Sequence, residues 1–300
     1  MLFSIVITFH NQREFIRDAV DSVLSMQITD GEVIVVDDAS EDGSQDLLRG
    51  YGQAIRLVCL GKNGGAGIAR NRGASLAAGQ YLVFLDGDDA FLPSALDIYR
   101  RIIRARSPKM ILSSAQWFRD RLPNLGQAKL SQQIQFVEYA DYMSKDRSFG
   151  NSASTLVIDR QSFLAVGGWR QDMFPMDDQD LAIRLGDCGR TIQILSPATT
   201  LRRAHSGNTV QSVPPFLPIL SQLIECERMG ELPGGRLRRL ERYGLLGGLV
   251  FFWTRRAVKQ GLFRQTAALL LQGWPMLVVA MARRLTVFLT GRQPCETITV

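Results

Sequence analysis

The chain has 300 residues, 46% of them hydrophobic and 21% charged, which excludes a disordered chain and allows one large domain or two modest ones around a real core. Its net charge of +6 is concentrated: residues 211–300 carry +7 and residues 1–210 carry −1, so the basicity describes the last third only. The four cysteines, Cys59, Cys188, Cys226 and Cys295, show no Cys-x-x-Cys spacing, which argues against a zinc site or a disulfide framework and suits a reducing cytoplasm. The opening Met1-Leu2-Phe3-Ser4-Ile5-Val6-Ile7 lacks a basic leader and a small-residue cleavage site, so it reads as a strand rather than a signal peptide. No run reaches about 18 uninterrupted apolar residues, and a membrane-spanning helix is not expected.

Phe3–Phe9 is a continuous apolar, β-branched run, suited to a strand covered on both faces. Gln12–Met26 follows with helical spacing, Phe15, Ala19, Val23 and Met26 on one side. Glu32–Val36 reads as a second buried strand, ending in the acidic turn Asp37-Asp38-Ala39-Ser40-Glu41-Asp42-Gly43, with Ser44 placed to cap a helix. Ile55–Leu60 is a third strand, Gly65–Ala78 a helix entered through Asn63-Gly64-Gly65, and Gln80–Leu85 a fourth strand. Leu92–Ala105 is amphipathic, and Met110–Ser114 is a short strand. Residues 116–135 are polar and irregular, a loop or a hairpin arm. Thr155–Ile158, Thr191–Leu195 and Ala198–Arg202 look like further strands. Strands alternating with helices of this length predict an α/β, Rossmann-like, mostly parallel sheet flanked by helices. Pro214-Pro215 marks the change to a basic, mostly helical region.

The chemistry lies at the strand ends. Asp86-Gly87-Asp88-Asp89 crowds three carboxylates at the exit of a buried strand. At roughly 5 Å and an effective dielectric of about 20, each like-charge pair costs on the order of 3 kcal/mol, which water or a bound cation must offset. Mg²⁺ is held by one or two carboxylates together with substrate phosphates, so this pattern points to a metal–diphosphate site. His10-Asn11, Asp37-Asp38 and Asn63 through Asn71 end the other strands, where open parallel sheets bind ligands.

These blocks, in this order, resemble the inverting family 2 glycosyltransferases, which have a GT-A fold. The similar segments are Ile5–Asn11, Val35–Ser44, Asn63-Gly64-Gly65 with Ala69-Arg70-Asn71-Arg72-Gly73, and Phe84–Asp89, and the match extends over about residues 3–210. The resemblance implies a catalytic domain over 1–210, with a nucleotide-binding half (1–115) and an acceptor half (116–210), followed by a helical C-terminal extension over 211–300. It implies a donor-binding set of Thr8, His10, Asn11, Asp38, Asn63, Arg70 and Asp86. In that set Asp38 accepts from the imide of the base, Arg70 lies beside the base and Asp86 lies near the ribose and metal. Asp88 would ligate a divalent ion, Mg²⁺ or Mn²⁺. His10 stands where the family often has a tyrosine stacking on the base, so it stacks over less area; a UDP-sugar is the favoured donor.

Asp177-Asp178-Gln179-Asp180 follows Gly167-Gly168-Trp169-Arg170 and opens a helical stretch, where carboxylates also stabilise the helix N-terminus by roughly 0.3–1 kcal/mol each. Chemistry alone leaves Asp177, Asp178 and Asp180 open as the general base. The resemblance implies Asp178, which would take the proton of an acceptor hydroxyl. In Arg202-Arg203-Ala204-His205 the resemblance makes His205 a metal or diphosphate ligand, with Arg202 or Arg203 neutralising phosphate.

The activity so implied is metal-dependent, inverting transfer of a sugar from a nucleotide-sugar to a hydroxyl of a glycan or lipid-linked acceptor, in cell-surface polysaccharide synthesis. A nucleotidyltransferase is the alternative, although Thr8-Phe9-His10-Asn11-Gln12-Arg13 lacks the glycine-rich loop that holds a triphosphate. A non-catalytic sugar-nucleotide binder is the third reading. Beyond Gly235, Arg clusters alternate with Leu, Phe and Trp through Leu262–Leu271 and Trp274–Leu289. Such faces suit contact with an anionic membrane surface, packing on the catalytic domain, or an oligomer interface. The expected location is cytoplasmic, peripheral at the inner face of the plasma membrane. No nucleic-acid recognition module is evident.

Overall fold

The computed structural model describes residues 1–119, 121–123, 133–144, 151–205, 207–290 and 294–299. Half of the segment expected as a loop or hairpin arm (116–135), namely 120 and 124–132, lies outside them. The chain opens with β1 (Phe3–Phe9), α1 (Ile16–Leu24), β2 (Gly31–Asp37), α2 (Ser44–Arg49), β3 (Arg56–Cys59), α3 (Ala66–Leu76) and β4 (Tyr81–Asp86). Then come β5 (Ala90–Phe91), α4 (Ala95–Arg106), β6 (Met110–Ser113), β7 (Ala115–Phe118), β8 (Gln133–Tyr139), β9 (Leu156–Asp159) and α5 (Arg160–Ala165). The remainder is α6 (Asp177–Arg184), β10 (Thr191–Ser196), β11 (Thr200–Arg203), α7 (Phe216–Met229), α8 (Arg239–Lys259), α9 (Phe263–Thr290) and β12 (Glu296–Thr299).

Among the described residues the larger sheet runs β12-β8-β10-β6-β9-β4-β1-β2-β3, and a smaller one runs β5-β11-β7. β1 sits between β4 and β2, parallel to both, and every one of its residues is buried. Alternation then splits its side chains. Phe3, Ile5, Ile7 and Phe9 pack with α1 and α4 on one face, and Val6 packs with α3 and Trp169 on the other. Gly73 permits that second contact, because a Cβ there would run into Val6 Cγ1.

Not every strand follows the parallel expectation. β9 is inserted antiparallel between β4 and β6, and β8 lies antiparallel to β10. Among the described residues no crossover helix precedes either strand, and an antiparallel strand needs none. The strands β5, β7, β8 and β12 were not foreseen. Each is short or lies at a sheet margin, apart from β8, whose alternation buries Ile134 and Phe136 between exposed glutamines, while Val137 and Tyr139 are buried on its other face.

The C-terminal region is helical to Thr290, and then β12 pairs antiparallel with β8. Its helices share the core of the α3 face: Phe216, Leu220, Leu246 and Trp253 belong to the same buried cluster as Leu181 and Trp169. The two expected segments 262–271 and 274–289 form one helix that runs through Pro275. Within it, Phe263–Leu289 is long and apolar enough to cross a membrane by length and composition, with mean hydropathy 1.3 and 28% of the window buried. Gln272, Gly273, Arg283 and Arg284 interrupt the apolar run without interrupting the helix, which corrects the expectation that no segment has this character.

Candidate active site

The polar loops after β1, β2, β3 and β4 converge on one cleft of about 2720 Å³, into which Thr8, His10, Asp38, Asn63, Arg70, Asp86, Asp88, Asp178 and His205 all face. Asn11 does not line it. Its backbone N–H donates to Ser40 Oγ at 2.8 Å and its Oδ1 accepts from Glu41 N–H at 2.9 Å, which ties the β1 exit to the β2 exit. Its φ of 50° is one that Asn tolerates better than most side chains. Asp38 is buried, and its two carboxylate oxygens accept from Gly64 N–H at 2.8 Å and Gly65 N–H at 2.7 Å. It therefore shapes the loop that enters α3. Asn63 supports the same turn through its Oδ1, 3.1 Å from Gly65 N.

The acidic strand end is built for close approach. A side chain at Gly87 would strike Phe9 and Gln12, so only glycine lets this turn pack on the β1 exit. The turn sends its three carboxylates to different partners. Asp86 accepts from Arg70 at 2.6 Å. Asp88 Oδ2 lies 2.9 Å from His205 Nε2. Asp89, 4% exposed, accepts from Arg203 N–H at 3.1 Å. Burial, and next the Asp86 carboxylate, push the Asp88 acid upward. Burial followed by Asp88 and Asp86 pushes Asp89 up to about 8.

Arg70 is the hub between the two acidic clusters. Its guanidinium reaches Asp86 at 2.6 Å and Asp177 at 2.8 Å, and lies 4.6 Å over the ring of Trp169. Burial opposes its charge, but the two carboxylates outweigh that, and its pKa is raised. Trp169 is itself held by Asn71, which donates to its carbonyl at 2.8 Å and accepts from its N–H at 2.9 Å. The turn before it needs positive φ at both Gly167 (78°) and Gly168 (69°), which explains the paired glycines.

At the start of α6 the three candidate carboxylates separate. Asp177 is paired with Arg70, and Asp180, fully buried, with Arg184 at 2.7 Å. Among the described residues Asp178 forms no ion pair; it accepts from the N–H of Gln179 at 2.7 Å and faces the cleft. Burial first, then the neighbouring Asp177 carboxylate, push it up to about 7. Asn151 lines the cleft beside it and donates to the Asp178 carbonyl at 3.0 Å. No motif in the sequence singled out Asn151; only the fold brings it to α6.

The two arginines before His205 have distinct places. Arg203 is 4% exposed, lies between the rings of Phe15 and Phe118 at 4.6 Å from each, and reaches Asp18 at 2.6 Å. Arg202 lines the cleft, with its guanidinium 4.5 Å over Trp117. Gly207 N–H donates to His205 Nδ1 at 3.2 Å, which leaves the ring proton on Nε2, directed at Asp88.

Asp88 and His205 suit a divalent ion in one respect. Adjacent ligands on a six-coordinate ion with bonds of about 2.1 Å stand about 3 Å apart. Asp88 Oδ2 and His205 Nε2 are already 2.9 Å apart, and Nε2 gains a free lone pair for an ion only when its proton moves to Nδ1 and the Gly207 N–H contact is given up. Among the described residues no group of three or more His, Cys, Asp or Glu is placed to hold a metal. Asp88 and His205 are thus two residues that could hold a divalent ion together with substrate phosphate and water.

Residues 4–161 match the family model described as Glycosyl transferase family 2. TuaG of Bacillus subtilis, a glycosyltransferase named for teichuronic acid biosynthesis, is 38% identical over 109 residues, 35% of this chain and 43% of TuaG. EpsJ of the same organism, an uncharacterised glycosyltransferase, is 37% identical over 98 residues, 32% of this chain and 28% of EpsJ. The chain therefore spans less than half the length of either. WfaP of Escherichia coli, a UDP-Glc:α-D-GlcNAc-diphosphoundecaprenol β-1,3-glucosyltransferase, is 26% identical over 213 residues, 69% of this chain and 79% of WfaP. In structure, TarS 1-349 of S. aureus in complex with UDP-GlcNAc superposes with a TM-score of 0.62 at 16% identity, covering 83% of this chain and 71% of TarS 1-349. The architecture is of the expected GT-A type, a mostly parallel sheet whose strand-end loops form the cleft.

Proposed function

Because the chain belongs to glycosyl transferase family 2, we propose that it moves a sugar from a UDP-sugar to an acceptor hydroxyl with inversion at the anomeric carbon. One observation carries this reading: of the three carboxylates that open α6, only Asp178 faces the cleft without an arginine partner among the described residues. A base must accept a proton near neutral pH, and burial pushes the Asp178 acid up to about 7. The acceptor oxygen attacks the anomeric carbon as its proton passes to Asp178, and the bond to the diphosphate breaks with the electron pair leaving on that group. A single displacement needs no covalent sugar–carboxylate intermediate. Asn151 fixes the backbone of Asp178, and Arg70 holds Asp86 and Asp177 in place beside it. Asp88 and His205 would hold a divalent ion, which when bound would offer charge neutralisation to the departing diphosphate. Arg202 adds a positive group to the same cleft.

The acceptor is a glycan or a lipid-linked saccharide of the cell surface, as the names of TuaG and WfaP suggest for relatives. Contact with an anionic membrane at its cytoplasmic face fits the exposed α9 residues Leu271, Trp274, Met281 and Leu285, which recur at helical spacing. The nucleotidyltransferase alternative is disfavoured by the β1 exit, where no glycine-rich loop is present to hold a triphosphate. Titration calorimetry of the full chain with UDP, the other nucleoside diphosphates and UDP-GlcNAc, with and without Mn²⁺, tests the reading. Uridine-selective binding that weakens at least tenfold without Mn²⁺, and equally in Asp88→Asn, is expected. The absence of any nucleotide binding overturns it.

A further inference from the structure

The cleft continues past Asp178. Its far wall is one stripe of α8, Leu240, Gly244, Gly248 and Phe252, faced by Val279 and Ala282 of α9. Ile183 and Leu195 line the cleft as well. This end is an apolar trough that is continuous with the polar site.

The α8 glycines are informative. A glycine inside a helix costs about 1 kcal/mol relative to alanine, so each needs a reason. Gly247 has one in packing, since a Cβ there would run into the Met276 carbonyl of α9. Gly244 has another, because the Arg283 guanidinium lies across it. Gly248 has none: a Cβ there meets nothing within 4 Å. Its missing side chain leaves room on the trough side of α8. Arg283 and Arg284 line the same cleft, and the one acid beside them, Glu241, is already paired with Arg238, which suits an anionic group. At the outer end Val278 and Phe288 line the cleft while being 57% and 84% exposed, so the trough opens onto apolar surface instead of closing. A wholly polar acceptor would leave these walls against water.

We propose that this trough seats the hydrocarbon chain of an acceptor whose sugar is carried on a phosphate-linked lipid, with the sugar end at Asp178 and the phosphate among the arginines. The inference rests on the transferase reading and adds the place where the lipid arm binds. Its test uses farnesyl phosphate, dimethylallyl phosphate and inorganic phosphate, titrated into the full chain below micelle-forming concentrations, with UDP titrated in parallel. Farnesyl phosphate is expected to bind at least tenfold tighter than dimethylallyl phosphate. Gly248→Phe, whose Cβ meets nothing within 4 Å, is expected to remove that preference while leaving the melting temperature and UDP affinity in place. Leu285→Gln, on exposed surface outside the cleft, is expected to keep it. Equal affinity for the two lipids, or a preference that survives Gly248→Phe and falls with Leu285→Gln, overturns the trough and assigns the lipid to the outer helix face. Failure of UDP to bind the unmodified chain counts against the transferase reading, whereas UDP binding without a farnesyl preference counts against the trough alone.

Discussion

The strand-end loops and the α8–α9 hairpin spend their side chains in opposite ways. Around β1–β4 the polar groups are tied to the protein itself: Asp38 to two backbone amides, Asn11 to the neighbouring loop, Arg70 to two carboxylates. On α9 Leu271, Trp274, Met281, Leu285 and Phe288 face outward, each more than half exposed. The arginines of the tail divide between these habits. Arg242 forms a buried pair with Glu227, and Arg238 reaches Asp141 at 2.6 Å, so these pin helices together or to the catalytic body. The contrast teaches that one region is organised in advance for chemistry, while the other keeps surface in reserve for something apolar.

The sharpest way to break the first region is Asp178→Asn. Turnover should fall about 10²–10⁴-fold, as for loss of a general base, while UDP still binds; following nucleoside diphosphate release separates the two. In the parent, kcat/KM should fall about tenfold per pH unit below about 7, the value to which Asp178 is pushed, because only the ionised carboxylate accepts a proton. Stability carries the opposite sign. A carboxyl whose pKa is raised on folding holds its proton better in the native state, so this contribution is complete at low pH and is lost as pH rises through about 7. Asp178→Asn should therefore melt higher than the parent at pH 8, with the difference closing toward pH 4.

Arg70→Met leaves Asp86 and Asp177 facing each other across a buried gap. Loss of one partner of a buried pair costs about 3–5 kcal/mol, with the lower end expected because the Asp86 side chain is 28% exposed; urea denaturation reads it. In the hairpin, Gly247→Ala pushes α8 away from the Met276 carbonyl and should cost about 1–3 kcal/mol on the same measurement. The smallest effect on folding belongs to Met281→Glu with Leu285→Glu, both exposed: within about 0.5 kcal/mol each, yet with loss of co-sedimentation with phosphatidylserine vesicles. A pair that instead unfolds the chain would show that this face is already covered.

Much of this was legible because it is written locally. Strand interiors such as Phe3–Phe9 are uniformly apolar, and the polar residue that ends each one falls at the carboxyl edge of the sheet by construction. What the sequence left open depends on long-range placement. Asp177, Asp178 and Asp180 are neighbours of one type; Arg70, 107 residues before Asp177, and Arg184 decide which is left facing the cleft. Asn151 carries no motif, and its role depends on the approach of its loop to α6. The reversal of β8 and β9 follows from connections that no residue announces. The continuity of α9 through Pro275 was missed because proline is a local breaker, whereas the packing of Met276 against Gly247 is tertiary and prevails. The alternation that defines β8 was present in Gln133-Ile134-Gln135-Phe136 and could have been read.

The pairing of β12 with β8 has a mechanical consequence. The hairpin is clasped at both ends, by α7 inside the shared core and by a final strand hydrogen-bonded to the catalytic sheet, with Arg106 gripping Glu296 at 2.9 Å. A bracket fastened at two points cannot swing as a free door does. A long acceptor is therefore expected to thread in along its length, and the gap it spans is gauged by the sheet.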